Sequence, residues 1–432
     1  MAKRALLVGC NYPGSRAELR GCVNDVWAMK GLLMEHYGFQ ESDLTIQIDT
    51  DSRYAQPTAR NIKAALSSLV SQTKDGDVLF FHFSGHGTQL PSDDPSEADQ
   101  SDEAICPTDM NVILDDDLRA ILGPLPDGAF FTMVSDCCHS GGMLDHPEVQ
   151  VSGVKDANSG PAPAPMDLIS SLFGARDAGD EGGFRNRGLE PNRFMDILSG
   201  IVGHRVTRGN VRTSLGQQFG GDASVAVKSV LKMLLPHAQR MVQQQARSGN
   251  NSGFIKMLGP LLGCLGKAVN SGGGATQSSN PAFSAPGGGM DFGKIASMFT
   301  GAGGGAPAPA GAPAPAGGMQ EPVLPVKVPA GKHNRPGAGE IPELGADKGV
   351  LITGCQSHET SADMCPGGDP SKAYGALTNA IRTVVQSNAG RRMTAMEVAH
   401  EVRSTLSQAR IKQNPCLECS LGNANKPFIV PV

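Results

Sequence analysis

One histidine and one cysteine carry the chemistry this sequence is best equipped to perform. His86 stands in His82-Phe83-Ser84-Gly85-His86-Gly87, and Cys138 in Ser135-Asp136-Cys137-Cys138-His139-Ser140-Gly141-Gly142. A thiol becomes a good nucleophile when a base or an imidazolium stands beside it. Each segment directly follows a run that reads as a buried strand, 77–81 and 129–134. In a parallel sheet the strand ends lie side by side on one edge, where active sites are built. His86 and Cys138 would therefore meet at one rim. Cys137 is an alternative nucleophile by residue type. Neighbouring side chains at a strand end point to opposite sides, so only one of the two should face His86.

A second feature is acidic. From Asp93 to Asp117 carboxylates accumulate with no Lys or Arg among them. Several carboxylate oxygens suit a hard cation, and calcium is the natural candidate. The loop spacing and closing Glu of an EF-hand are absent. Asp93 to Asp99 read better as a solvated loop, and Asp115 to Asp117 also suit a helix start. Cys416-Leu417-Glu418-Cys419 is a lone pair of thiols with no second pair or nearby His, so it reads as buried or peripheral cysteine rather than zinc site.

The elements that must position these residues fall into three parts. Residues 1–150 alternate strand and helix patterns: strands over 3–8 and 44–48, helices over Glu18 to His36 and Thr58 to Ser71, then the two strands named above. Such alternation argues for an α/β fold, a mostly parallel sheet flanked by helices. Residues 151–345 form a linker with helical patterns over Asn192 to Ile201 and Ala223 to Gln245. The latter carries Pro236, which ends or kinks it. Gly, Ala, Pro and Ser dominate residues 271–320, too poor in apolar surface to offset chain entropy. Residues 346–432 return to ordered patterning: a strand at 349–354, helices over Ala373 to Gln386 and Met393 to Ala409, and a final strand at Phe428-Ile429-Val430. This last piece completes the sheet begun in the first part.

Composition narrows the class. The chain has 432 residues, and its 55 Gly and 30 Pro are concentrated enough to leave a smaller folded mass than the length suggests. A formal charge of -5 argues neither for a nucleic-acid binder nor for a general membrane binder. Met1 to Val8 is too short for a secretory signal, and no run approaches a membrane span. Scattered cysteines without a signal place the protein in a reducing cytoplasm, with the nucleus also open to it. Ser252 to Val269 is apolar for a linker; packing on the catalytic region is the default for it, and membrane contact the alternative.

Together, Arg20-Gly21-Cys22-Val23-Asn24-Asp25, Ser84-Gly85-His86-Gly87 and Asp136-Cys137-Cys138-His139-Ser140-Gly141-Gly142 resemble the metacaspases. The layout resembles the plant and green-algal type II subgroup. The resemblance implies a caspase-like fold and a cysteine endopeptidase acting as a monomer on protein substrates. It places the nucleophile at Cys138 and the base at His86, with backbone N–H groups of Gly87 and Cys138 holding the oxyanion. It also implies a specificity pocket of Asp25, Asp136, Cys22 and Ser84, whose carboxylates would hold Arg or Lys. Calcium would activate the enzyme through Asp102, Asp115, Asp116 and Asp145. An enzyme of this specificity would cut its own linker, with Arg185 and Arg187 as the candidate sites, and would be made as a zymogen. A legumain-like peptidase that cleaves after Asn, and a non-proteolytic chaperone or interaction role through the linker, are the alternative readings.

Overall fold

A computed structural model describes residues 1–91, 101–138, 149–151, 184–229, 349–355 and 360–430. Its centre is a seven-stranded sheet in the order β2-β1-β3-β7-β10-β13-β8. These strands are β1 (Lys3–Gly9), β2 (Leu44–Ile48), β3 (Val78–Ser84), β7 (Phe130–Asp136), β8 (Val149–Val151), β10 (Val350–Thr353) and β13 (Cys416–Cys419). The first five positions are parallel, β13 runs antiparallel to both of its neighbours, and β8 returns to the direction of the first five. Thus β10 and β13 extend the sheet of the N-terminal part.

Apolar residues on alternate positions of β1 go to opposite faces, as a strand's period of two requires. Leu6 and Val8 join Phe81 and Phe83 beneath helices α2 (Ala59–Gln72) and α3 (Asp115–Leu122). Ala5 and Leu7 join Phe80 on the other face, beneath α1 (Cys22–Tyr37) and two C-terminal helices. The same C-terminal face holds Leu377, Ile381, Val398 and Val402. Both faces are covered, which is why these strands read as unbroken apolar runs. Each fully buried Leu or Phe contributes roughly 1.5–3 kcal/mol to this arrangement.

The helix starts follow local signals. The Thr58 side chain caps α2 by accepting the Asn61 N–H. Thr394 and Glu397 form a reciprocal cap on the helix Ala395–Gln408. Two expectations fail. The helix expected from Glu18 begins at Cys22, because the Arg20 and Gly21 N–H groups donate to Asp363 and the Leu19 N–H to the Asn11 carbonyl. The strand expected at Phe428 to Val430 is a turn, with Ile429 in the left-handed region and the Phe428 N–H given to Met393. The last strand is Cys416–Cys419, whose four residues are all buried. Neither of its two cysteines is in a disulfide, and burial pushes the Cys419 thiol up to about 12. The linker helix expected at Asn192 to Ile201 spans Pro191–Val202. The one expected from Ala223 is helical over 225–229, and its remainder, 252–269 and 271–320 lie outside the described residues.

Two small sheets frame the rim. Strands β4 (His86–Pro91), β5 (Ser101–Cys106) and β6 (Ile113–Leu114) form one. In the other, the linker strand β9 (Phe184–Asn186) pairs antiparallel with β11 (Ala362–Met364), which also pairs with β12 (Tyr374–Gly375). No helix among the described residues is long and apolar enough to cross a membrane.

Candidate active site

Register brings the two motifs together. The last paired residues of β3 and β7 are Ser84 and Asp136. His86 and Cys138 each stand two residues beyond that pair. Their backbones meet closely: a Cβ on Gly87 would lie 1.6 Å from the Cys138 carbonyl oxygen. Only a glycine permits that approach.

His86 is held from several sides. Its Nε2 lies 2.8 Å from the Ala17 carbonyl oxygen. A carbonyl only accepts, so Nε2 carries the hydrogen and Nδ1 keeps its lone pair. The His86 N–H donates to the Tyr12 hydroxyl at 2.8 Å, and that hydroxyl donates to the Cys106 carbonyl at 2.5 Å. The two rings are tilted, with centroids 5.0 Å apart. Tyr12 has a left-handed backbone, and Asp49 accepts both its N–H and that of Asn11. Burial pushes the His86 pKa down to about 4, so the ring is neutral near pH 7 and able to accept a proton.

The adjacent cysteines part company. Cys137 is directed inward, its Sγ 3.2 Å from Ser135 Oγ, and it belongs to the apolar core. Cys138 Sγ accepts the Ser361 N–H at 2.6 Å and lies 3.4 Å from Asn186 Oδ1. It therefore faces the linker segment that crosses the rim.

That segment is bound as an extended peptide. Beyond the pairing of β9 with β11, the Arg187 N–H donates to the Ser361 carbonyl at 2.9 Å. The Gly87 N–H donates to the Arg187 carbonyl at 3.0 Å, and the Leu189 N–H returns to the Gly87 carbonyl at 2.8 Å. Of the two backbone donors expected at such a carbonyl, Gly87 is the one that reaches it among the described residues.

The Arg187 side chain is fully buried in the acidic pocket. Its Nη2 lies 2.8 Å from Asp25 and 2.9 Å from Asp363. Its Nη1 reaches Ser84 Oγ at 2.8 Å and an Asp136 carboxylate oxygen at 3.3 Å. Ser84 in turn donates to Asp25 at 2.7 Å, and Thr378 donates to Asp136 through its N–H and its hydroxyl. Cys22 lies buried beside them, its thiol pushed up by burial despite the pull of Arg187. Burial also pushes Asp25 up to about 7, outweighing the pull of the Arg187 guanidinium. The four pocket residues read from the sequence are thus brought together.

Asp363 is the pocket carboxylate that sequence reasoning missed. It lies in Ser361-Ala362-Asp363, which carries no motif and reaches the pocket through β11. Gln413 orders that turn, accepting from the Ala362 N–H at 3.0 Å and donating to Ser361 Oγ at 3.1 Å. Arg185, the other arginine singled out, points away from the pocket and donates to the Glu18 carbonyl at 2.6 Å.

Calcium finds weaker geometric support. Asp102 pairs with Arg212, while Asp115 and Asp116 pair with Arg119. Asp145 lies outside the described residues. No group of three His, Cys, Asp or Glu side chains with metal-ligand spacing occurs among the described residues. The oxygen chemistry of the three buried carboxylates suits a hard cation, but guanidiniums hold them in this structure.

Comparison with known proteins decides the family. The model of the metacaspase, peptidase C14 domain matches residues 3–147. Metacaspase-4 of Arabidopsis thaliana is 34% identical over 470 aligned residues, covering 99% of this chain and 100% of its own length. The chain is a metacaspase. Metacaspase-6 of the same plant is also 34% identical, again over 99% of this chain and all of its own. Metacaspase-1 of Schizosaccharomyces pombe matches 53% of this chain at 34% identity. Full-length likeness to the type II metacaspases of Arabidopsis agrees with the motif order read at the outset. As a metacaspase, the protein is a cysteine peptidase with a caspase-like fold.

Proposed function

We propose that this metacaspase is an endopeptidase that cuts after Arg or Lys, uses Cys138 and His86, and processes itself between Arg187 and Gly188. The observation that carries this reading is Arg187, fully buried among Asp25, Asp136 and Asp363 while its carbonyl faces the Gly87 N–H. A buried guanidinium needs this number of carboxylates and acceptors, and a substrate arginine would find the same set. A lysine would use the charges but fewer of the hydrogen bonds. A pocket for the uncharged Asn, as a legumain-like enzyme has, would not need three carboxylates.

His86 Nδ1 takes the Cys138 proton, and Sγ bonds to the Arg187 carbonyl carbon. The Gly87 N–H holds the oxygen as it gains charge. The imidazolium then passes its proton to the Gly188 nitrogen and the C–N bond breaks. Water, giving a proton to His86, next attacks the thioester. Sγ leaves and recovers its proton, and Arg187 ends as a carboxylate.

In the uncut chain Arg187 occupies the pocket that a substrate needs, so the protein is made inactive toward other proteins. Calcium as the activator would be held by Asp102, Asp115, Asp116 and Asp145, and its positive charge would compete with Arg119 and Arg212 for these carboxylates. The protein acts in the cytoplasm as a monomer. Assay of short fluorogenic peptides ending in Arg, Lys, Asp and Asn, with calcium or with chelator, tests both claims. Cleavage after Arg and Lys in calcium alone is expected. Efficient cleavage after Asp contradicts the specificity, and full processing and turnover in excess chelator contradict the activator.

A further inference from the structure

We propose that Asn186, the residue before Arg187, is a brake on cleavage of the Arg187–Gly188 bond. By the same contact, the enzyme disfavours Asn at that position in any substrate. The proposal rests on Arg187–Gly188 being the bond cut.

One oxygen holds both reacting partners. Asn186 Oδ1 accepts the Gly188 N–H at 2.7 Å, and Gly188 supplies the nitrogen of the bond to be broken. The same oxygen lies 3.4 Å from Cys138 Sγ, within reach of the thiol hydrogen. Because the Gly188 nitrogen only donates, the amide atom facing both groups is the oxygen, not the NH2. The three groups are packed: a Cβ on Gly188 would lie 3.1 Å from Asn186 Oδ1 and 3.2 Å from Cys138 Sγ.

Each bond opposes a step of the reaction. The thiol hydrogen must pass to His86 Nδ1 before Sγ can bond to the Arg187 carbonyl carbon, and that transfer abolishes the bond to Asn186. The Gly188 nitrogen must become tetrahedral and accept the proton from His86. Its N–H is meanwhile tied to a side chain on the other half of the substrate. Scission separates Asn186 and Gly188 into different products, so their hydrogen bond is lost with the peptide bond. Arg187 is therefore seated in the specificity pocket while the reacting atoms beside it are held back. The contacts of Arg187 with Asp25, Asp136, Asp363 and Ser84 do not involve the Asn186 side chain, which is half-buried.

The test compares full-length wild type, Asn186→Ala and Asn186→Asp in one calcium concentration, following self-cleavage by intact mass and N-terminal sequence. Losing one or two hydrogen bonds that oppose the step should speed appearance of the Gly188 terminus about tenfold in Asn186→Ala. Asn186→Asp keeps the acceptor and should process no faster than wild type. A Gly188 terminus that forms at the same rate or more slowly in Asn186→Ala overturns the brake and leaves the cleavage assignment standing. A wild-type terminus elsewhere than Gly188 overturns the assignment instead. A second measurement needs no variant protein. Processed wild type is given quenched peptides of residues 183–190, one with Asn and one with Ala at position 186, and scission before Gly188 is read by mass. The Asn peptide should show about tenfold lower kcat and a KM lowered with it, because the contact to Cys138 is made in the bound ground state and lost in the transition state. Equal kcat for the two peptides overturns the proposal.

Discussion

Arg187 collects carboxylates from residues far apart in the chain, Asp25, Asp136 and Asp363, and their charge exceeds its own. Burial, with the neighbouring Asp136 charge adding to it, pushes Asp25 up to about 7 even with the guanidinium present. Without a guanidinium the same carboxyl keeps its proton to higher pH. Binding an arginine therefore releases a proton, and binding tightens as pH rises through the bound-state value. For Arg peptides, kcat/KM should rise as pH climbs above about 7. In Asp25→Asn this part of the profile should flatten and kcat/KM should fall at least about tenfold, since losing one partner of a buried charge pair costs roughly 2–5 kcal/mol. An unchanged slope in the variant would remove Asp25 from the titration. The adjacent cysteines give a sharper contrast. Cys138→Ala should abolish peptide turnover, whereas Cys137→Ala, whose Sγ meets Ser135 and the core, should keep most of it and lose some thermal stability. Turnover lost only in Cys137→Ala would move the nucleophile by one residue.

At the scale of elements, strand ends do the positioning. The pairing of Ser84 with Asp136 puts His86 and Cys138 at neighbouring exits, and Gly87 lets the two backbones touch. Gly87→Ala would force a Cβ to within 1.6 Å of the Cys138 oxygen. The resulting displacement should lower kcat at least about a hundredfold, as a misplacement of about 1 Å can. Retention of full kcat, measured beside thermal unfolding to check the fold, would show that this contact does not position the site. Much of this was legible beforehand, because two apolar strands ending in His and Cys motifs carry their own punctuation. The pocket's third carboxylate was not. Asp363 enters through β11, whose short stretch has no periodicity and whose place depends on pairing with the linker strand. The C-terminal strand was misread for a related reason. Phe428 to Val430 has the apolar residues of a strand, but the Phe428 N–H goes to the Met393 carbonyl and the Val430 N–H turns back to the Phe428 carbonyl, while Cys416 to Cys419 is buried through pairing with distant strands on both sides. Likewise the helix expected from Glu18 is shortened by Asp363, a partner far along the sequence.

Across the whole molecule, the linker is threaded through the candidate site. The segment Phe184 to Leu189 bridges the N-terminal motifs and the C-terminal strand β11, contacting Gly87 on one side and Ser361 on the other. Asp363 also accepts the Arg20 and Gly21 N–H groups, so the two ends of the chain stay joined by contacts that do not pass through the linker. Scission after Arg187 would thus free the pocket while leaving the sheet whole. The most direct measurement is the sequence of the new N-termini after calcium is added to wild type, Arg187→Ala and Cys138→Ala. The account predicts a terminus at Gly188 in wild type, its absence in both variants, and no processing at all in Cys138→Ala. Wild-type protein that never yields Gly188, or a Cys138→Ala chain that yields it at the wild-type rate, would contradict it.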